Sequence, residues 1–103
     1  MATRNTKVKP KFDWERFKNS KERINVHCRT AKEAQNFRRL MHEHGMKWCS
    51  GDLYTRVTNE SMAGGFDLYK DRTVYDNKGQ YGNINYSNEQ GWEIVSYSAY
   101  DWS

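Results

Sequence analysis

The stretch RINVHCRTAKEAQNFRRLMHEHGMKWCSG, from Arg23 to Gly51, constrains the fold most, because strand, helix and turn signals follow one another in it without a gap. Ile24, Val26 and Cys28 alternate with Asn25 and His27, the period of a strand with one face buried, and His27 then points away from the core. Thr30 followed by Glu33 has the spacing of a capping box, so a helix begins at Ala31. Ala31, Ala34, Phe37, Leu40 and Met41 recur on one helical face, and Gly45 supplies the left-handed residue that ends the helix after about fourteen residues, roughly 21 Å. Met46 and Trp48 then read as a second strand returning against the first, up to the turn at Ser50, Gly51 and Asp52.

The rest of the chain is aromatic or β-branched in short runs: Phe66 to Tyr69, Thr73 to Tyr75, Tyr81 to Tyr86 and Trp92 to Tyr97. Asp76-Asn77-Lys78-Gly79 has the residues of a hairpin turn, with Gly79 at positive φ. The expected fold is α+β: a small, mostly antiparallel sheet of four to six short strands with one main helix packed on one face. Leu53 to Gly65 reads as a long irregular connection ending in Gly64-Gly65, the kind of loop in which function is often housed.

A chain of 103 residues has room for one core. The division is a basic N-terminal arm with a short aromatic segment, residues 1–22, followed by a single domain, residues 23–103. In the aromatic segment Asp13 caps a short helical turn, and Phe12, Trp14 and Phe17 pack onto the domain or onto a partner. Four Trp, seven Tyr and four Phe offset a shortage of aliphatic residues, since each buries a large area.

Charge is uneven along the chain. Residues 1–47 carry thirteen Lys or Arg against five Asp or Glu, whereas residues 48–103 carry four against eight, an electrostatic dipole along the sequence that speaks to partners more than to fold. Two cysteines exclude a disulfide framework, and both read as reduced, semi-buried thiols. No apolar run approaches the roughly 20 residues of a membrane span, and no signal sequence is evident, so a soluble, cytoplasmic protein is expected.

The succession I-N-V-H-C, T-x-x-E-A, G-M-K-W-C-S-G and G-W-E-I-V-S-Y-S, spread over residues 23–51 and 91–98, resembles small accessory proteins encoded by bacteriophages and prophages. The resemblance implies a phage context and brings no catalytic residue with it.

His27, Cys28, His42, His44 and Cys49 are zinc-ligand types, but no C-x-x-C or H-x-x-x-H pair occurs, and His42 and His44, two apart on a helix, diverge. The two histidines complement the carbonyl end of the helix instead. Cys28 beside His27 and Arg29 is either an activated thiol or a small core residue, and His27 with Lys47 or His42 suggests RNA cleavage by residue type alone. No catalytic residue, metal site or cofactor is assigned. The binding residues expected are Arg29, Lys32, Arg38 and Arg39 on the exposed helix surface and Tyr100 and Trp102 as aromatic anchors near the C-terminus, with Gly64 and Gly65 as a loop candidate.

The leading expectation is a non-enzymatic phage accessory protein that binds and inhibits a host bacterial protein, such as a nucleic-acid-processing component of antiviral defence, in the manner of an anti-CRISPR protein. A nucleic-acid-binding module using the arm and the helix is the first alternative. Sequestration of a small signalling nucleotide at the Gly64-Gly65 loop is the second.

Overall fold

The computed structural model describes residues 8–54 and 66–103. The elements, in chain order, are helix α1 (Trp14–Asn19), strand β1 (Ile24–Cys28), helix α2 (Ala31–Glu43), the short helix α3 (Phe66–Tyr69) with a 3-10 turn (Lys70–Arg72), strands β2 (Thr73–Asp76) and β3 (Tyr81–Asn83), helix α4 (Ile84–Gln90), strand β4 (Glu93–Ser96) and a final 3-10 turn (Tyr97–Ala99). The four strands form one sheet in the order β3-β2-β1-β4. Two of its ladders are antiparallel, β1 with β2 and β2 with β3, while β1 and β4 run parallel. The fold is α+β, as the sequence pattern predicts.

Local chemistry sets the first half of the chain. The Asp13 carboxylate accepts from the Arg16 amide at 3.0 Å and starts α1. Thr30 Oγ1 accepts from the Glu33 amide at 3.1 Å, and the Glu33 carboxylate reaches back to the Arg29 amide at 2.9 Å, so the capping box forms one residue wider than its usual closure. Helix α2 ends where expected, with Gly45 at φ 80°.

Three expected strands are corrected. Met46 to Trp48 pairs with no strand: the Trp48 amide donates to Asp52 and the Gly51 amide to Trp48, closing a local turn. The physical reason is that β1 is central, with β2 on one side and β4 on the other, and has no edge left to offer. Phe66 to Tyr69 is helical, with Phe66 and Tyr69 turned inward and Asp67 and Leu68 outward, a period of three rather than two. The run from Tyr81 stops at Asn83, whose side chain accepts from the Asn85 amide at 2.8 Å and caps α4; Gly91, at φ 74°, ends that helix rather than forming a hairpin loop.

Pleat parity divides the sheet into two unlike faces. Ile24, Val26, Cys28 and Tyr75 face α2 and form the core with Ala34, Phe37, Met41, Phe17 and Tyr54. Phe12 and Trp14 pack against this core, so the aromatic segment lies on the domain itself: Phe12, Phe17 and Phe37 meet edge to face at 5.2–5.9 Å. The other face carries Asn25, His27, Val74 and Asp76; α4 links β3 to β4, the two edge strands of the sheet, with Ser87 buried. There Asn25 donates to the Glu93 carbonyl at 3.2 Å, and Nε2 of His27, half-buried and turned from the core as expected, lies 2.5 Å from the Asp71 carbonyl.

The turn after β2 fastens these layers. Asp76 accepts from the Lys78 and Gln80 amides, both at 2.9 Å, and Asn77 exchanges hydrogen bonds with the Ile24 amide and the Phe17 carbonyl. Gly79 has φ 81°, and a Cβ there would sit 2.4 Å from the Cys49 amide nitrogen, because the 47–49 segment crosses directly over it and Cys49 donates to its carbonyl. Among the described residues, no helix is long and apolar enough to cross a membrane.

Candidate functional site

The helical period decides which of the expected cations reach solvent. Lys32, Gln35 and Arg39, at i, i+3 and i+7, form one exposed stripe of α2. Arg38 sits one position round the helix and is drawn inward: its guanidinium donates to the Tyr75 hydroxyl at 2.7 Å and lies 5.8 Å from the ring centre. Arg38 is therefore a positioning contact for a core tyrosine, not a member of the surface set. Arg29 lies just before the helix and faces Glu33 at 3.8 Å.

Between this stripe and the final 3-10 turn lies an open groove of about 720 Å³. Its floor and helix-side wall are Thr30, Lys32, Glu33, Gln35, Asn36 and Arg39, and its far wall is Tyr97. A chain of contacts holds the two walls in register: Arg39 donates to the Asn36 side-chain oxygen, and the Asn36 amide donates to the Tyr97 hydroxyl at 2.6 Å. Since Arg39 has only N–H groups to offer, it requires the Asn36 oxygen on its side and so places the Asn36 nitrogen towards Tyr97. Arg39 also donates to Glu43 at 2.7 Å, yet half of its side chain stays exposed.

Tyr100 and Trp102 are not the free anchors expected. Trp102 is half-buried, stacked on Tyr97 with ring centres 4.8 Å apart, and its indole N–H donates to the Tyr97 carbonyl at 2.7 Å. Tyr100 is likewise half-buried, edge-on to Phe12 at 5.1 Å. Trp102 backs Tyr97, and Tyr100 closes the aromatic cluster against Phe12 and Trp102. A second, smaller hollow of about 280 Å³ lies further along α2, between Leu40 and His44 on the helix and Trp102 and Lys11 opposite, where His44 stacks on Trp14 at 4.0 Å. Gly64 and Gly65 lie outside the described residues.

Folding also folds up the sequence dipole. Lys11 pairs with Asp101 and Arg23 with Asp76, both at 3.3 Å, and Arg16 grips Glu93 through both of its terminal nitrogens. Each pair joins a cation of the basic half to an anion of the acidic half, so part of each pole is neutralised by the other. The carboxylates respond accordingly. The Ser103 hydroxyl and amide, and then Lys11, hold Asp101 down to about 2, while the Arg16 hydrogen bond holds Glu93 below the usual carboxylate range. Asp76 moves up, because burial outweighs its amide donors and Arg23.

The candidate metal and thiol residues are dispersed. Cys28 is fully buried and Cys49 exposed, and both are free. Burial, reinforced by the charge of Glu33, raises the Cys28 thiol well above its ordinary value, which makes it a core residue and removes the activated-thiol reading. Among the described residues no group of three or more His, Cys, Asp or Glu is placed to hold a metal ion.

Lys32 and Arg39 were expected on the exposed helix surface, together with Arg38, whereas Gln35 was not singled out. Nor was Tyr97, because only tertiary structure brings it to Asn36 across 61 positions of sequence. Comparison with known proteins finds no matching family model, no similar curated protein and no similar solved structure.

Proposed function

We propose that the protein is a non-enzymatic binding protein that docks on another protein through the α2 groove, as a bacteriophage accessory factor inhibiting a host defence component in the bacterial cytoplasm. The supporting observation is the groove itself: exposed Lys32, Gln35 and Arg39 on a rigid helix, facing a tyrosine wall that is held by hydrogen bonds and backed by Trp102. Charged and amide groups around a fixed aromatic are the composition of protein-recognition surfaces, where they set orientation and encounter rate. Capture from a bacterial lysate tests this. The tagged protein should retain one stoichiometric partner, and Lys32→Glu with Arg39→Glu should release it. Retention of nucleic acid alone, or of the same partner by the double variant, sinks the proposal.

A nucleic-acid-binding reading rests on Lys32 and Arg39 on the exposed stripe of α2, with Arg29 exposed just before the helix. It is the weaker reading, because Glu33 and Glu43 interrupt that side and the three ion pairs between the halves break up any longer cationic track. It predicts a gel-shift affinity that falls steeply with salt.

A further inference from the structure

Hydrogen-bond accounting in the groove narrows the partner's chemistry. Most acceptors along its walls already take one internal hydrogen bond. Thr30 Oγ1 accepts from the Glu33 amide, the Glu33 carboxylate takes the Arg29 amide and faces the Arg29 guanidinium, the Asn36 oxygen accepts from Arg39, and the Tyr97 oxygen accepts from Asn36. Donors are left over. The Thr30 and Tyr97 hydroxyl protons remain available, Arg39 has spent two of its five N–H groups, and Lys32, exposed, makes no ion pair among the described residues. Gln35 adds one more donor and one acceptor, and the Glu33 carboxylate and the hydroxyl oxygens keep further lone pairs, so the bias towards donors comes from Lys32, Arg39 and the two hydroxyl protons. A groove of spare donors with two cationic groups along it complements a ligand that only accepts and that carries negative charge.

Building on the protein-binding reading, we propose that the groove takes an extended, carboxylate-bearing segment of the partner, its acidic side chains seated on Lys32, Arg39 and the Tyr97 hydroxyl. Thr30 to Arg39 covers about 14 Å of helix axis, the length of about four extended residues. Carboxylates are favoured over a phosphodiester backbone because Glu33 and Glu43 flank the donors: discrete acidic side chains can step between these carboxylates, whereas a continuous line of phosphates must lie against them.

Fluorescence anisotropy with labelled hexaglutamate, which overhangs the groove by about one residue at each end, tests this against a labelled six-nucleotide thymidine strand. The wild-type protein should bind the peptide more tightly than the oligonucleotide. Arg39→Gln, Lys32→Ala and Tyr97→Phe should each weaken it about tenfold, the effect of losing a hydrogen bond to a charged group. Tyr97→Phe keeps the ring that stacks on Trp102 and removes only the hydroxyl, and circular dichroism confirms that each variant is folded. No detectable peptide binding, equal binding by the three variants, or preference for the oligonucleotide overturns the proposal. If hexaglutamate fails while lysate capture still depends on Lys32 and Arg39, the carboxylate chemistry falls and the protein-binding reading stands.

Discussion

The two faces of the sheet are closed by different forces. On the α2 side Val26, Cys28 and Tyr75 meet Phe37 and Met41, and the seal is hydrocarbon and ring edges. On the opposite face Asn25, Asp76 and His27 are closed by directed hydrogen bonds to backbone groups. The aromatic face gains stability in proportion to the area it removes from water. The polar face adds little net stability when satisfied but is costly when one partner is removed, so it specifies register and turn geometry more than it adds to cohesion.

The largest loss should therefore come from Phe37→Ala, which opens the centre of the ring cluster and should cost about 3–5 kcal/mol in urea unfolding. A loss below about 1 kcal/mol would mean that the cluster closes over the gap and that the aromatic face is not the main source of stability. Asp76→Ala should come next, at about 2 kcal/mol, because it removes a buried acceptor and leaves the part-buried Lys78 and Gln80 amides without their partner. If it matches Phe37→Ala, the polar face is energetically the equal of the aromatic one.

Acid titration separates the carboxylates within the same comparison. Asp101 and Glu93 are held below their ordinary values, so the stability they add is complete above the usual carboxylate pKa, roughly 4, and is lost as pH falls through their folded-state values, about 2 for Asp101. Asp76 is held above its ordinary value, so its protonation relieves a buried charge and stability rises as pH falls through that raised value. Measured as Tm from about pH 5 to about pH 2, Asp101→Asn should lose less than the wild type on acidification, and Asp76→Asn should lose more. The reverse order would contradict both assignments. The smallest effect belongs to Lys32→Ala, within about 0.5 kcal/mol of wild type in stability although it weakens binding, since an exposed groove residue belongs to neither seal.

Much of the first half of the fold was legible because its signals are local. The Asp13 and Thr30 caps, the Gly45 stop and the alternation of β1 each operate within a few residues, and all appear where the sequence places them. Thr73 to Tyr75 and the Gly79 turn were legible for the same reason. Met46 to Trp48 misled because strand-like composition cannot reveal that β1 already has two neighbours, one of them the distant β4. Ile84 to Tyr86 misled because Tyr86 suits a strand as well as a helix, and the deciding cap is the modest side chain of Asn83. In the site, Lys32 and Arg39 followed from helical period, whereas the withdrawal of Arg38 to Tyr75 and the arrival of Tyr97 opposite Asn36 are tertiary events. Tyr100 and Trp102 were misplaced because proximity to a chain end says nothing of whether that end folds back.

That fold-back has a kinetic consequence for a chain emerging from the ribosome. The central strand β1 leaves the exit tunnel early, but its parallel neighbour β4, the Pro10–Asp101 hydrogen bond and the Trp102 ring arrive some seventy or more residues later. Until then Phe12, Trp14 and Phe37 lack a cover, and the nascent chain depends on α2 and β2 alone to keep them from straying. Folding thus completes as a late, long-range closure, a topology associated with slow rather than microsecond folding.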